Sequence, residues 1–175
     1  MKKCLFLLLL LCVVGLDCHA QIQNKIFGMV LGQSTKLDVK NYFNSKPDII
    51  VEEDKTDGSI SAEGVRFGGC YWLVAFFDFH NDILQTVHFS ATETEDLSSK
   101  DLERNWKQLA RTLHDKYDRY LIPEKVSDDD LVFIDDNTLV GLNYSLSDEG
   151  KPILSIHYQD VNLTQTQLKN DADEL

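Results

Sequence analysis

The sequence predicts an α+β fold: two helix-plus-three-strand-meander units forming one antiparallel sheet, with the helices packed on one face. Three observations predict it. Two stretches place apolar residues at helical spacing behind a capping pattern. Each is followed by apolar runs of strand length. Turn residues separate those runs. A helix with a stripe to bury, followed by a meander with an apolar face, makes one layer pair, and two copies make an extended sheet.

The first helix lies in IFGMVLGQSTKLDVKNYFNSKP, residues 26–47. Thr35 with Asp38 three positions on is a capping box, each side chain satisfying the other's free backbone N–H. Leu37, Val39, Tyr42 and Phe43 give an apolar side, and Pro47 stops the helix. Residues 48–57 hold one short strand, closed by Gly58. The meander follows. Val65-Arg66-Phe67 is a strand, and Gly68-Gly69 is a hairpin turn. In the next strand Tyr71, Leu73, Ala75, Phe77 and Phe79 share one face and Trp72, Val74 and Phe76 the other, which predicts a central strand covered on both sides. His80-Asn81-Asp82 turns the chain. Leu84, Val87 and Phe89 then recur with a one-residue irregularity, the mark of a bulge.

Residues 98–120 carry the strongest helical pattern. Ser98 and Asp101 form a second capping box, and Leu102, Trp106, Leu109, Leu113 and Tyr117 make a continuous stripe. Trp106, Leu109 and Leu113 are expected to pack on the meander of residues 71–89, the most apolar surface on offer. Strands at 131–134, 139–146 and 153–158 complete the second unit. The units span about 26–92 and 97–160 of a single domain, 21–165. Residues 166–175 are expected to be a loose polar tail.

Residues 1–20 have the layout of a secretory signal peptide: Lys2 and Lys3, an apolar run from 4 to 16, and small residues around a cut after Ala20. The run is too short to span a bilayer. Export to the periplasm or beyond is therefore expected. Cleavage removes Cys4, Cys12 and Cys18, leaving Cys70 alone, so an apolar core and no disulfide framework must stabilise the chain. The full chain has 17 basic and 29 acidic residues, net −12; without Lys2, Lys3 and Asp17 it has 15 and 28, net −13. No basic patch is visible, which excludes nucleic acid as a partner class.

Gly32-Gln33-Ser34-Thr35, with Val39, Phe43 and Pro47, resembles the Gly-x-Ser/Thr helix start of the small lipoproteins of the outer-membrane barrel-assembly machinery. The doubled helix-plus-meander plan resembles the beta-lactamase inhibitor protein fold and a broad group of small secreted bacterial proteins. The motif covers about sixteen residues, from 32 to 47. The second half has no such start, and the chain has neither the inhibitor's paired disulfides nor a lipobox. The resemblance implies the fold and a bias toward protein binding. It transfers no target and no functional residue.

Cys70 is the one candidate nucleophile of its kind after cleavage. It needs a base and an electropositive setting, with His80, His88, His114 and His157 as the available histidines. No hydrolase spacing is present, and the alternative is a small core residue after a turn. The acids at 128–130 and 135–136 invite calcium but lack calcium-loop spacing, and no Cys/His pair has zinc spacing. Asn143-Tyr144-Ser145 and Asn162-Leu163-Thr164 match the glycosylation pattern. Tyr71, Trp72, Phe76, Phe77 and Trp106 either line a ligand pocket or fill the core. The reading assigns no catalytic, cofactor-binding or metal residue. It favours an exported, non-enzymatic module that binds a protein or envelope component. The alternatives are a hydrolase using Cys70 with a nearby histidine, and a small-ligand carrier with an aromatic pocket between helix 98–120 and the sheet.

Overall fold

The structure, a computed structural model, describes residues 21–173; residues 1–20, where the signal segment is expected, lie outside them. The described chain opens with a small hairpin, β1 (Lys25–Ile26) and β2 (Met29–Val30), turned by Phe27 and Gly28 at φ of 53° and 88°. Helix α1 (Lys36–Asn44) follows. Its capping box forms as the sequence predicts: Thr35 Oγ1 accepts from the Asp38 N–H at 3.3 Å, and Asp38 Oδ2 accepts from the Thr35 N–H at 2.8 Å. Val39 and Phe43 are its buried residues.

The sheet has seven strands, all antiparallel to their neighbours: β3 (Val51–Glu53), β4 (Ile60–Phe67), β5 (Cys70–His80), β6 (Ile83–Thr92), β7 (Asp130–Ile134), β8 (Thr138–Leu146) and β9 (Pro152–Asp160), in the order β3-β4-β5-β6-β9-β8-β7. The two tight turns are as expected. Gly68 and Gly69 take φ of 61° and 81°, and Asn81 and Asp82 take 50° and 68°. Such left-handed pairs match the twist of the flanking strands. The expected irregularity is a register shift opposite Asp78 and Phe79.

One contiguous core lies along the helix-covered face of the sheet, with Trp72, Phe77, Phe89, Phe43 and Phe133 among its largest fully buried side chains. Phe27 is its aromatic hub. Its ring lies 5.4–5.8 Å from those of Tyr42, Phe67, Phe43 and Phe89 and 6.5 Å from that of Phe77.

Helix α2 (Ser99–Tyr117), continued by a 3-10 turn at Asp118–Tyr120, is capped by Ser98 and Asp101. It buries Leu102, Leu109, Ala110, Leu113 and Tyr117. Its placement corrects the expectation that its stripe rests on the 71–89 meander. It lies chiefly over β8 and β9 and touches β6. The pairing of β6 with β9 continues the apolar face across β9 and β8, where Leu154, Ile156, Val140 and Leu142 are buried under the helix. Leu109 still reaches the β4–β5 turn, where a Cβ on Gly68 would sit 3.3 Å from its Cδ2.

Two further expectations are corrected. β5 is not covered on both sides: Trp72 sits in the core with Ala75 and Phe77, while Tyr71 and Phe76 are each 39% exposed on the outer face. The facing switches because Gly64 at φ 71° interrupts β4, and register pairing skips from Glu63↔Val74 to Val65↔Trp72. Residues 161–173, expected to loosen from 166 onward, form helix α3 (Val161–Asp173). Asp160 Oδ1 accepts from the Leu163 N–H at 2.8 Å, and Gln85 donates to Thr164 and Gln167 at 3.1 and 3.0 Å. A polar sequence can thus become helical once capped and tied to a buried amide. No helix of the described residues is long and apolar enough to cross a membrane.

Candidate functional site: the outer face of the sheet

The helices α1 and α2 bury one face of the sheet, and the opposite face carries most of the chemistry. A single row of register partners crosses it: Glu52, Ser61, Phe76, His88, His157, Gly141 and Val132. The His88 ring lies 6.2 Å from Phe76 and 6.5 Å from His157, perpendicular to the latter. His157 leans onto β8, where a Cβ on Gly141 would overlap its ring. Gly141 is therefore the space the imidazole occupies. Gly141→Ala should cost about 1–3 kcal/mol as an overpacking change. In a His157→Ala background the same substitution should be near neutral, so a denaturation double-mutant cycle reads the coupling directly. Equal costs in both backgrounds would place the ring elsewhere.

Burial pushes both imidazoles below the usual histidine value; for His157 the neighbouring His88 adds to the effect, and for His88 the Asp78 carboxylate opposes it. Burial raises the Asp78 pKa, with Asp57 reinforcing and His88 opposing. The signs give two windows. Each histidine's contribution is complete above the ordinary value of 6.5 and is lost as pH falls toward its depressed folded value, because the unfolded chain then binds more protons. Asp78 contributes fully below 3.8 and loses that contribution as pH rises through its raised value. Above its raised value it is a half-buried carboxylate with no hydrogen bond or ion pair among the described residues. Asp78→Asn should therefore raise the melting midpoint at pH 7 and lose that advantage near pH 3. A lower midpoint at pH 7 would contradict the placement.

Toward β3 the same face opens into a groove of about 520 Å3, lined by Ile50, Tyr71, Leu73 and Val74, with Asp48 and Glu63 beside them and Gly64 in its floor. Ile50 is 59% exposed. Arg66 lies over the Tyr71 ring, 5.9 Å from its centroid.

The residues singled out by sequence are scattered. Cys70 is buried, its sulfur 3.9 Å from the Gly68 carbonyl, with burial raising its pKa. No described histidine hydrogen-bonds it. The thiol should react slowly with an aromatic disulfide reagent in the native protein and promptly in denaturant. Fast native labelling would overturn this assignment. His80, at the end of β5, pairs with Asn81 at 3.0 Å, and His114, in the last turn of α2, pairs with Asp118 at 2.9 Å. The acidic runs serve local hydrogen bonding: Asp135 accepts from the backbone N–H groups of Ile22, Asn137 and Thr138, and Asp130 accepts from the side chains of Asn143 and Ser127. Among the described residues no group of three or more His, Cys, Asp or Glu converges as a metal site. Asn143 of β8 donates to Asp130 of β7, and Asn162 donates to Asn137 at 3.2 Å.

Of the five aromatics, Trp72 and Phe77 are core, Trp106 is half-buried against it, and Tyr71 and Phe76 face outward. A cleft of about 250 Å3 does lie between α2 and the sheet, lined by Phe67, Leu109, Leu113, Tyr117, Ile156 and Tyr158. Sequence reasoning missed the row His88–His157–Gly141. The signal was there as a histidine in each of two predicted strands, but only the β6–β9 register places them side by side. No protein-family model, no curated protein and no solved structure matches this chain.

Proposed function

We propose that this chain is an exported, non-enzymatic binding module that recognises a protein or envelope component through the outer face of its sheet. The observation that carries the reading is the outward placement of Ile50 and Tyr71 in an open groove, with Phe76 exposed farther along the same face. Aromatic side chains in a water-facing depression are the usual anchors of protein recognition, since each buries a large area at small entropic cost. The sealed Cys70 argues against the hydrolase alternative. The cleft under α2 is smaller than the roughly 300–1,000 Å3 typical of ligand pockets, which argues against the carrier.

The reading takes the chain as two helix-plus-meander units, like the beta-lactamase inhibitor protein fold that the sequence resembles. In its support, the strand order β4-β5-β6-β9-β8-β7 sets two meanders side by side, joined through their last strands. Export follows from the signal-like residues 1–20. The test is capture from bacterial envelope extracts by the immobilised chain starting at Gln21, alongside Tyr71→Ser/Phe76→Ser. A defined partner retained by the parent and lost by the double variant supports the reading. Partner retention by both, or turnover of a substrate abolished by one point change, overturns it.

A further inference from the structure

We infer that the partner segment received by this face is cationic: lysine or arginine side chains alternating with apolar or aromatic ones. The inference rests on the binding reading above and specifies its chemistry. Two independent features of the outer face point to it.

The first is the distribution of paired and unpaired charge. On the helix side several acids have cations. Glu53 pairs with Lys36 and Lys40, Asp101 with Arg104, and Asp115 with Arg111. On the outer face, Asp48 and Glu63 beside the groove, and Glu52 and Asp78 farther along it, have neither a hydrogen bond nor an ion pair to any described side chain. Glu52 and Asp78 are placed on this face by register, beside Ser61 and Thr86. Arg66, beside the groove, lies over the Tyr71 ring. Carboxylates spread over one face give it a negative potential, and a cation docked among them meets favourable charge.

The second is the half-buried position of Asp78 on this face, where burial, reinforced by Asp57, disfavours the charged form of its carboxyl. A carboxylate kept there without a partner destabilises the free protein. A partner cation would offset that cost, so the face is less favourable empty than filled. Chains carrying a net charge of −12 would bring like charges together in self-association through this acidic face, so a second copy is disfavoured as the occupant. An anionic membrane surface is disfavoured for the same reason.

The probe is a nine-residue peptide alternating lysine with valine and tyrosine, and its counterpart has glutamate in place of lysine. Binding of each to the chain starting at Gln21 is followed by fluorescence anisotropy at low and moderate salt. Melting midpoints verify that the variants fold. The lysine peptide should bind, and Glu63→Gln/Asp78→Asn should weaken it by about tenfold. Added salt should weaken it as well. Tyr71→Ser/Phe76→Ser should abolish it. Equal binding of both peptides, no binding of the lysine peptide, or insensitivity to Glu63→Gln/Asp78→Asn overturns the cationic assignment. The envelope capture decides the binding reading separately. A partner lost with Tyr71→Ser/Phe76→Ser but indifferent to Glu63→Gln/Asp78→Asn keeps that reading and overturns this one.

Discussion

Phe27→Ala is expected to remove about 3 kcal/mol of folding stability, the lower end of the usual range for a buried phenylalanine because part of the ring stays exposed. That is a large share of the about 5–15 kcal/mol that holds a domain together. Five aromatic rings surround Phe27, so truncation leaves a void that Tyr42, Phe43, Phe67, Phe77 and Phe89 cannot all close. The backbone makes the prediction sharper. Phe27 sits at φ 53°, where a residue with a Cβ is strained by roughly 1–2 kcal/mol. Alanine keeps that strain and loses the ring; glycine loses the ring and relieves the strain. Phe27→Gly should therefore unfold at a higher urea concentration than Phe27→Ala. Glycine as the worse of the two would mean that the turn is not left-handed, and near-parent stability of both would mean that the ring is not the hub.

Leu109→Ala should cost about 2–5 kcal/mol, while Lys107→Ala should move the unfolding midpoint barely at all. Leu109 is 6% exposed on the buried face of α2 and meets the Gly68 turn as well as the strands under the helix. Lys107 is 65% exposed and bound only to Glu103 on its own helix. The placement of α2 over β8 and β9 makes the result informative about the whole sheet, because the same leucine also touches the first meander. Equal small effects at both positions would mean that α2 is undocked and that the single core does not exist.

The sequence by itself determined what is local. Both capping boxes, the Gly68-Gly69 turn, the Asn81-Asp82 turn and the bulge before Phe89 were legible, because each depends on residues within about four positions of one another. So were the three strands after α2, whose apolar alternation is uninterrupted at residues 152–158. The role of Phe27 was not legible, since nothing in its neighbours in sequence reports five rings gathered from α1, β4, β5 and β6. The helix at 161–173 was hidden because its polar stretch gains order from a distant buried amide, Gln85. The outer face was decided by tertiary structure alone. A period of two sorts a strand's residues into two sets but cannot say which set meets water. One interruption at Gly64 exchanged the sets, sending Trp72 inward and Tyr71 and Phe76 outward. The pairing of β6 with β9 then set His88 beside His157, residues 69 positions apart that only long-range register could bring together.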